Sequence, residues 1–361
     1  MTINPERRIL FITPQNKEPS GGNKQLYKMV DVLNALNFQA YILHESKGFR
    51  FSWFHNKTHI LYNGHIFKGL NKLYAPLLKT NSIYHIYFYL RTLFKRLNWG
   101  KDIINTSDIL VFPEFYGRFM NDILPNHKKV IYVQGCYLTF KHFNLQDNLK
   151  DSLYFEPNTL AIIVNSEDGR SYMEQLCTQL PIYITRHSVN TTLFAPAKKK
   201  KKIMAYMSRK YPEDSKQIIN YLTLCGVLDD WELINIDKVN HEEVATVLNK
   251  SAVFLSTNTD EGFPLPSIEA MASGCLVIGY TGKGGREYFK EDFSIPIPEK
   301  EIQIFMQKAL EEVSKLNQDF GIIDAISIKA RAFIEIHYNE NIEKEDIANT
   351  WSQLISVANK N

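Results

Sequence analysis

The chain has 361 residues, 44% of them hydrophobic, and a formal net charge of +3. That length favours two domains of similar size, and so slight a charge gives no footing for a nucleic-acid partner. The four cysteines, Cys136, Cys177, Cys225 and Cys275, lack metal-site or redox-pair spacing, so free thiols without a disulfide framework or zinc are expected. The opening Met1-Thr-Ile-Asn-Pro-Glu-Arg-Arg has no apolar core of signal length, and no run approaches the roughly 20 apolar residues of a membrane span. The expected location is the cytoplasm.

In chain order, residues 8–13 read as a buried strand. The loop after it ends Ser20-Gly21-Gly22-Asn23, and Leu26, Met29, Val30, Leu33 and Leu36 recur at helical spacing. Residues 39–43 read as a second strand. A strand, a glycine loop and a helix at the outset indicate a doubly wound α/β sheet, which binds ligands at the carboxyl ends of its strands. Gly21 and Gly22 fall there, although a plain tight turn explains the pair equally well and no GxGxxG fingerprint is present. Residues 83–99 are aromatic and basic. They suit a core helix with a solvated basic end, or a helix on a membrane surface or acceptor lip. Strands are expected at 107–112, 129–133, 159–164 and 181–184. Glu114 follows the first of these, Gln134 and Tyr137 the second, and Asn165-Ser166 the third, with Ser166 suited to cap a helix.

Residues 189–202 mark a change of composition that includes five lysines, Lys198 to Lys202. They read as the solvated end of a linker, or as a contact for anionic headgroups. The strand–helix alternation then restarts. A strand at 202–207 ends in Ser208-Arg209-Lys210, and a helix carrying Lys216 follows. Residues 231–235 form the next strand, 241–250 a helix and 252–255 a buried strand. Helices are expected at 302–316, 322–336 and 342–358. The domain boundaries are placed at 1–190 and 191–340, with 341–361 a terminal helix crossing back to the first domain.

The most informative stretch is Ser256 to Cys275. It runs strand, loop, helix, strand, with Glu261 in the loop, Glu269 on the helix and Gly274 as its closing glycine. Between the glutamates sit Gly262, Phe263, Pro264, Leu265 and Pro266, whose amides would open the helix. A helix N-terminus carries free N–H groups and a positive dipole end, which suit phosphate. Carboxylates suit hydroxyls or a developing cation instead, so the unit reads as a site for a sugar joined to a phosphate. Arg209 and Lys210 at the preceding strand end would hold a diphosphate, with Lys216 converging from the helix that follows; each alone would read as a surface cation. Two such domains with loops at their strand ends are expected to face a cleft.

Glu261 and Glu269 are eight positions apart, within Glu-Gly-Phe-Pro-Leu-Pro-Ser-Ile-Glu-Ala-Met-Ala-Ser-Gly-Cys-Leu-Val-Ile. This stretch resembles the EX7E motif of retaining GT-B glycosyltransferases of the GT4 type. Ser20-Gly21-Gly22, Asn165-Ser166, the 189–196 linker, Ser208-Arg209-Lys210 with Lys216, and Gly282 to Gly285 with Glu287 are similar to further family motifs, in the same order. The resemblance implies two Rossmann-like domains and metal-independent transfer of a sugar from an activated donor, without a cofactor, to a glycan or lipid-linked acceptor. It implies that Glu261 faces the donor sugar and Glu269 the nucleotide ribose. Arg209, Lys210 and the amides from 263 to 266 would bind phosphate, with Gly21, Gly22, Gly284 and Gly285 lining the donor site. Glu114, Gln134, Tyr137 and His187 are the acceptor-side candidates. Two departures stand out: Gln134 where many relatives carry histidine, and His187 where asparagine is common. The readings left open are surface polysaccharide, lipopolysaccharide or capsule synthesis with a lipid-linked acceptor at the inner membrane face, a donor such as phosphoribosyl diphosphate, a non-catalytic sugar-nucleotide subunit, and an epimerase.

Overall fold

The structure, a computed structural model, describes residues 7–15, 20–71, 100–116, 123–141, 143–209, 211–259 and 261–360. Lys210 and the segment 83–99 lie outside the described residues. The chain divides into two compact units. One contains residues 1–164, 170–185 and 346–361, the other 165–169 and 186–345.

In the first unit the described strands are β1 (Arg8–Ile12), β2 (Gln39–His44), β3 (Ile60–Tyr62), β4 (Ile109–Pro113), β5 (Lys128–Val133), β6 (Thr159–Val164) and β7 (Ile182–Ile184). They form one seven-stranded sheet in the order β3-β2-β1-β4-β5-β6-β7, with every pair parallel. A parallel strand covered on both faces needs apolar residues throughout. β1 meets this by alternation: Ile9 and Phe11 join one core, Leu10 and Ile12 the other. The first core includes Leu26, Met29 and Val30 of α1 (Gly21–Ala35) and Trp351 of α9 (Glu340–Lys360). The second includes Ile66 of α2 (Gly64–Asn71) and Met173 of α3 (Glu167–Leu176).

α9 runs on into the first unit from Asp346. There Trp351 is fully buried, its ring 5.8 Å from that of Phe11. Deleting a buried aromatic side chain leaves a cavity costing about 3–5 kcal/mol. Trp351→Ala is therefore expected to lower the urea midpoint of the first unit's unfolding by that equivalent.

In the second unit the strands are β8 (Lys201–Tyr206), β9 (Glu232–Asn235), β10 (Ser251–Ser256), β11 (Leu276–Tyr280) and β12 (Ser294–Ile297). Their order is β12-β11-β10-β8-β9, again all parallel. One face packs on α4 (Pro212–Leu224) and α7 (Ile302–Gln318). The other packs on α5 (His241–Lys250), α6 (Leu265–Ala272) and α8 (Ile322–His337).

The lysine run corrects a sequence expectation. Lys201 and Lys202 open β8, and Lys200 is buried rather than solvated. Its Nζ donates to the carbonyls of Leu248 (3.1 Å), Asn249 (3.2 Å) and Ser273 (2.6 Å). An ammonium has three donors, and these carbonyls lie at the ends of α5 and α6, where helix carbonyls lose their intrahelical partners. Arg331 adds a bond to the Ala272 carbonyl. Two cations thus complete the C-terminal end of α6. Among the described residues no helix is long and apolar enough to cross a membrane.

Candidate functional site

In the second unit the site is built around the start of α6. Pro264 is the N-cap, with extended backbone, and Leu265 and Pro266 are the first helical residues. Proline at this position loses nothing, because the first-turn N–H groups have no partner within the helix. The consequence for binding corrects the sequence reading. Pro264 and Pro266 have no N–H to offer, so the amides available to a phosphate at this turn come from Gly262, Phe263, Leu265 and Ser267. The prolines contribute rigidity.

Several bonds fix this turn. Tyr288, fully buried, donates its hydroxyl to the Pro264 carbonyl at 2.6 Å. Burial, the largest cause, pushes that phenol well above its ordinary range, so it stays a donor. Ser267 Oγ donates to Ser256 Oγ at 2.9 Å, and Ser256 Oγ to the Tyr280 carbonyl at 2.7 Å. These bonds tie the first turn of α6 to the carboxyl ends of β10 and β11. Phe263 turns inward, 7% exposed, against Tyr288 and Tyr338.

The two glycine-bearing loops are zipped together. Lys283 N donates to the Glu261 carbonyl and Gly284 N to the Gly262 carbonyl, both at 2.9 Å. This approach needs glycine: a Cβ on Gly284 would lie 2.1 Å from the Gly262 oxygen, and Gly282 has φ +60°. Gly285 follows in a short 3-10 turn, Gly284–Glu287. The zipper bond at residue 261 is made by the backbone carbonyl, so it survives a change of side chain there.

Glu269 lies in the second turn of α6. Its Oε1 accepts from His241 Nε2 at 2.9 Å, with the two side chains 15% and 21% exposed. This contact joins residues 28 apart and was missed from the sequence. Arg209 follows β8 in an exposed position, and Lys216 is exposed in the second turn of α4. Beside the start of α4 is a cavity of about 480 Å³ whose lining includes Tyr211, Asp214, Gln217, Thr259 and Lys300.

Glu287 was expected to belong to the glycine turn. Its Oε1 accepts from Glu167 N at 2.6 Å and Asp168 N at 3.4 Å, so it completes the first turn of α3. Burial raises its pKa while these two amides oppose the rise. His187 is 4% exposed, with Nε2 3.3 Å from Asn165 Nδ2 and its ring edge-on to Phe263 at 5.5 Å. It therefore packs behind the loop that carries Phe263 in its own unit.

In the first unit, Gly21 and Gly22 form the first turn of α1 rather than a loop before it. A Cβ on Gly22 would meet Gln134 Oε1 at 2.9 Å, so glycine there lets the Gln134 side chain reach the helix start. Glu114 is 2% exposed, and its Oε1 accepts from Gly135 N at 2.8 Å. It thereby braces the turn that carries Gln134. Tyr137, by contrast, is 48% exposed, in line with exposed Leu138 and Phe140.

Burial dominates at Glu114 and pushes its carboxyl up to about 7, against the backbone N–H groups of Glu114, Gln134 and Gly135. Because the folded pKa is raised, the folded state holds the proton longer than the unfolded chain. Its contribution is fully present below about pH 4.5 and is lost as pH rises through about 7. Glu114→Gln keeps the acceptor and removes the titration. The wild type is expected to lose on the order of 3 kcal/mol between pH 5 and 8 relative to this variant, read as the difference in urea midpoints.

The fold is that of the GT-B class, two Rossmann-like α/β units with parallel sheets. Residues 212–313 match the family described as glycosyl transferases group 1. The chain is 30% identical over 213 residues to an alpha-1,6-glucosyltransferase of Actinobacillus pleuropneumoniae serotype 7 (strain AP76). That match covers 57% of this chain and 58% of the relative, so it spans less than two thirds of the relative's length. Among solved structures, sucrose-phosphate synthase from Thermosynechococcus elongatus superposes with TM-score 0.65 at 12% identity, over 98% of this chain and 100% of that one. Anabaena HepE, in complex with UDP and glucose, gives TM-score 0.61 at 14% identity over 96% and 99%.

Proposed function

We propose that this chain is a retaining glycosyltransferase of the GT4 type that moves a sugar from a nucleotide-diphosphate donor, without a metal, to a glycan or lipid-linked glycan. The observation that carries this is the backbone zipper between 261–262 and 283–284, which holds Glu261 just ahead of the start of α6, with Glu269 in the second turn of the same helix. In the transition state the leaving diphosphate gains charge, so fixed amides and cations lower the barrier there. The amides are those of Gly262, Phe263, Leu265 and Ser267, and the cations are Arg209, Lys210 and Lys216. Glu261 faces the donor sugar, whose anomeric carbon becomes cationic, and Glu269 accepts from the ribose. Gly284 and Gly285 let the loop approach the donor. The acceptor attacks from the side of the leaving group, so no residue is assigned a covalent role.

In the first unit, Gly21 and Gly22 at the start of α1 are assigned to donor binding, and Gln134, braced by Glu114, and Tyr137 to acceptor binding. The exposed Tyr137, Leu138 and Phe140 suit the apolar part of a lipid-linked acceptor at the inner face of a membrane. Surface polysaccharide, lipopolysaccharide or capsule is the product class this acceptor implies. Anabaena HepE was solved with UDP-glucose, and the relative in Actinobacillus pleuropneumoniae is a glucosyltransferase. UDP-glucose is therefore the donor to test first.

A thermal-shift screen over nucleotide sugars and phosphoribosyl diphosphate tests the reading. A ligand at about 100 times its Kd stabilises the folded state by about 2.7 kcal/mol. A nucleotide sugar is expected to raise the melting temperature of the second unit. A shift with phosphoribosyl diphosphate alone would move the donor to the non-nucleotide class, and no shift with any of them would overturn the donor site.

A further inference from the structure

His241 has no part in the donor site described so far, yet its backbone and its side chain are both held in place. It is the first residue of α5, and a reciprocal capping pair fixes the backbone there. Asn240 Oδ1 accepts from Glu243 N at 2.9 Å, and Glu243 Oε2 accepts from Asn240 N at 3.1 Å. Its ring stands edge-on to Phe194, a fully buried residue, with centroids 4.9 Å apart and planes at 72°. Its Nε2 reaches Glu269 Oε1 at 2.9 Å. A carboxylate only accepts when ionised, so Nε2 carries the proton in this pair.

Glu269 has two oxygens with room for about four donors. His241 uses one site on Oε1. A glutamate side chain has three rotatable bonds, and holding one oxygen removes most of that freedom before a ligand arrives. The remaining sites then point in a set direction. Two neighbouring hydroxyls are the ligand chemistry that matches such a carboxylate, because both can donate to it at once.

We propose that His241 is a positioning residue for the donor: it holds Glu269 in the orientation that accepts the vicinal hydroxyls of a ribose, and so makes the site select ribonucleotides over deoxyribonucleotides. This rests on the ribose role given to Glu269 above. Because His241 acts through Glu269, its removal weakens donor binding while leaving the chemical step largely unchanged.

The test compares dissociation constants for uridine and guanosine diphosphates with those for their 2′-deoxy counterparts, by calorimetric titration. The proteins are the wild type, His241→Ala, His241→Gln and Glu269→Ala. The wild type is expected to prefer the ribonucleotide by about tenfold or more, the size of effect a hydrogen bond to a charged group produces. His241→Ala is expected to lose most of that ratio, with affinity for the deoxynucleotide little changed. In turnover assays its KM for the donor rises and its kcat stays within about twofold. His241→Gln, whose amide N–H can reach the same oxygen, is expected to restore much of the ratio. A general loosening of the fold would weaken both nucleotides alike and leave the ratio intact, and that result overturns the proposal. If Glu269→Ala collapses the ratio while His241→Ala does not, the ribose role stands and the role of His241 falls. If Glu269→Ala leaves the ratio unchanged, the ribose role of Glu269 falls too.

Discussion

Glu261→Ala is expected to reduce sugar transfer by about 10²- to 10³-fold, the range seen when one fixed group facing developing charge is removed. Binding of the nucleotide part should change far less. The reason lies in which atoms of Glu261 hold the loop. Its backbone carbonyl accepts from Lys283 N, a bond that does not depend on the side chain. Alanine keeps that backbone bond, so the zipper between the two loops should persist. Initial rates of nucleoside diphosphate release, with the melting temperature measured in parallel, check both halves of this expectation. Transfer at the wild-type rate would remove Glu261 from the site.

Gly284→Ala should act in the opposite manner, through structure first. The added methyl would stand 2.1 Å from the Gly262 carbonyl oxygen and 2.9 Å from Ser166 Cβ. The first neighbour is backbone and cannot turn aside, so the two loops must separate. Separation breaks the Gly284 N to Gly262 O bond and tilts the amides that open α6. Forcing a methyl into a packed position costs about 1–3 kcal/mol. The variant should therefore melt at a lower temperature, with donor affinity down by tenfold or more. Gly48→Ala is a suitable contrast, since no atom lies within 4 Å of the added Cβ although its φ is also positive, +78°. It should show backbone strain without loss of donor binding.

Much of the second unit was legible in the sequence because its strands are covered on both faces. Residues 252–255 and 276–278 are unbroken apolar runs, as parallel strands require, and the loop and short helix between them follow from glycine and proline chemistry. The placement of the two glutamates needed nothing more. What could not be read was the use of polar groups across long separations. Lys200 sits in a run of five lysines, and nothing local distinguishes it from its neighbours. Its acceptors are carbonyls 48, 49 and 73 residues away, so its burial depends on tertiary packing alone. The same holds for Glu287, which completes a helix start 120 residues back.

Glu114 shows a different limit. A carboxylate after an apolar strand reads equally well as a loop charge, and only the fold brings Gly135 N against it. His241 was nearer to being readable. The Asn240-x-x-Glu243 box marks it as the first helical residue, but its reach to Glu269 depends on how α5 and α6 pack. The prolines of 264–266 were open to correction from chemistry alone, since proline has no N–H to give to a phosphate.

The central claim is that the start of α6 and the loops beside it hold the sugar donor. Hydrogen–deuterium exchange with and without a saturating nucleotide sugar tests it most directly. The expected result is slower exchange in peptides covering residues 208–216, 261–269 and 282–287, with little change over α7. Donor binding that leaves those three segments exchanging at their unliganded rates would contradict it.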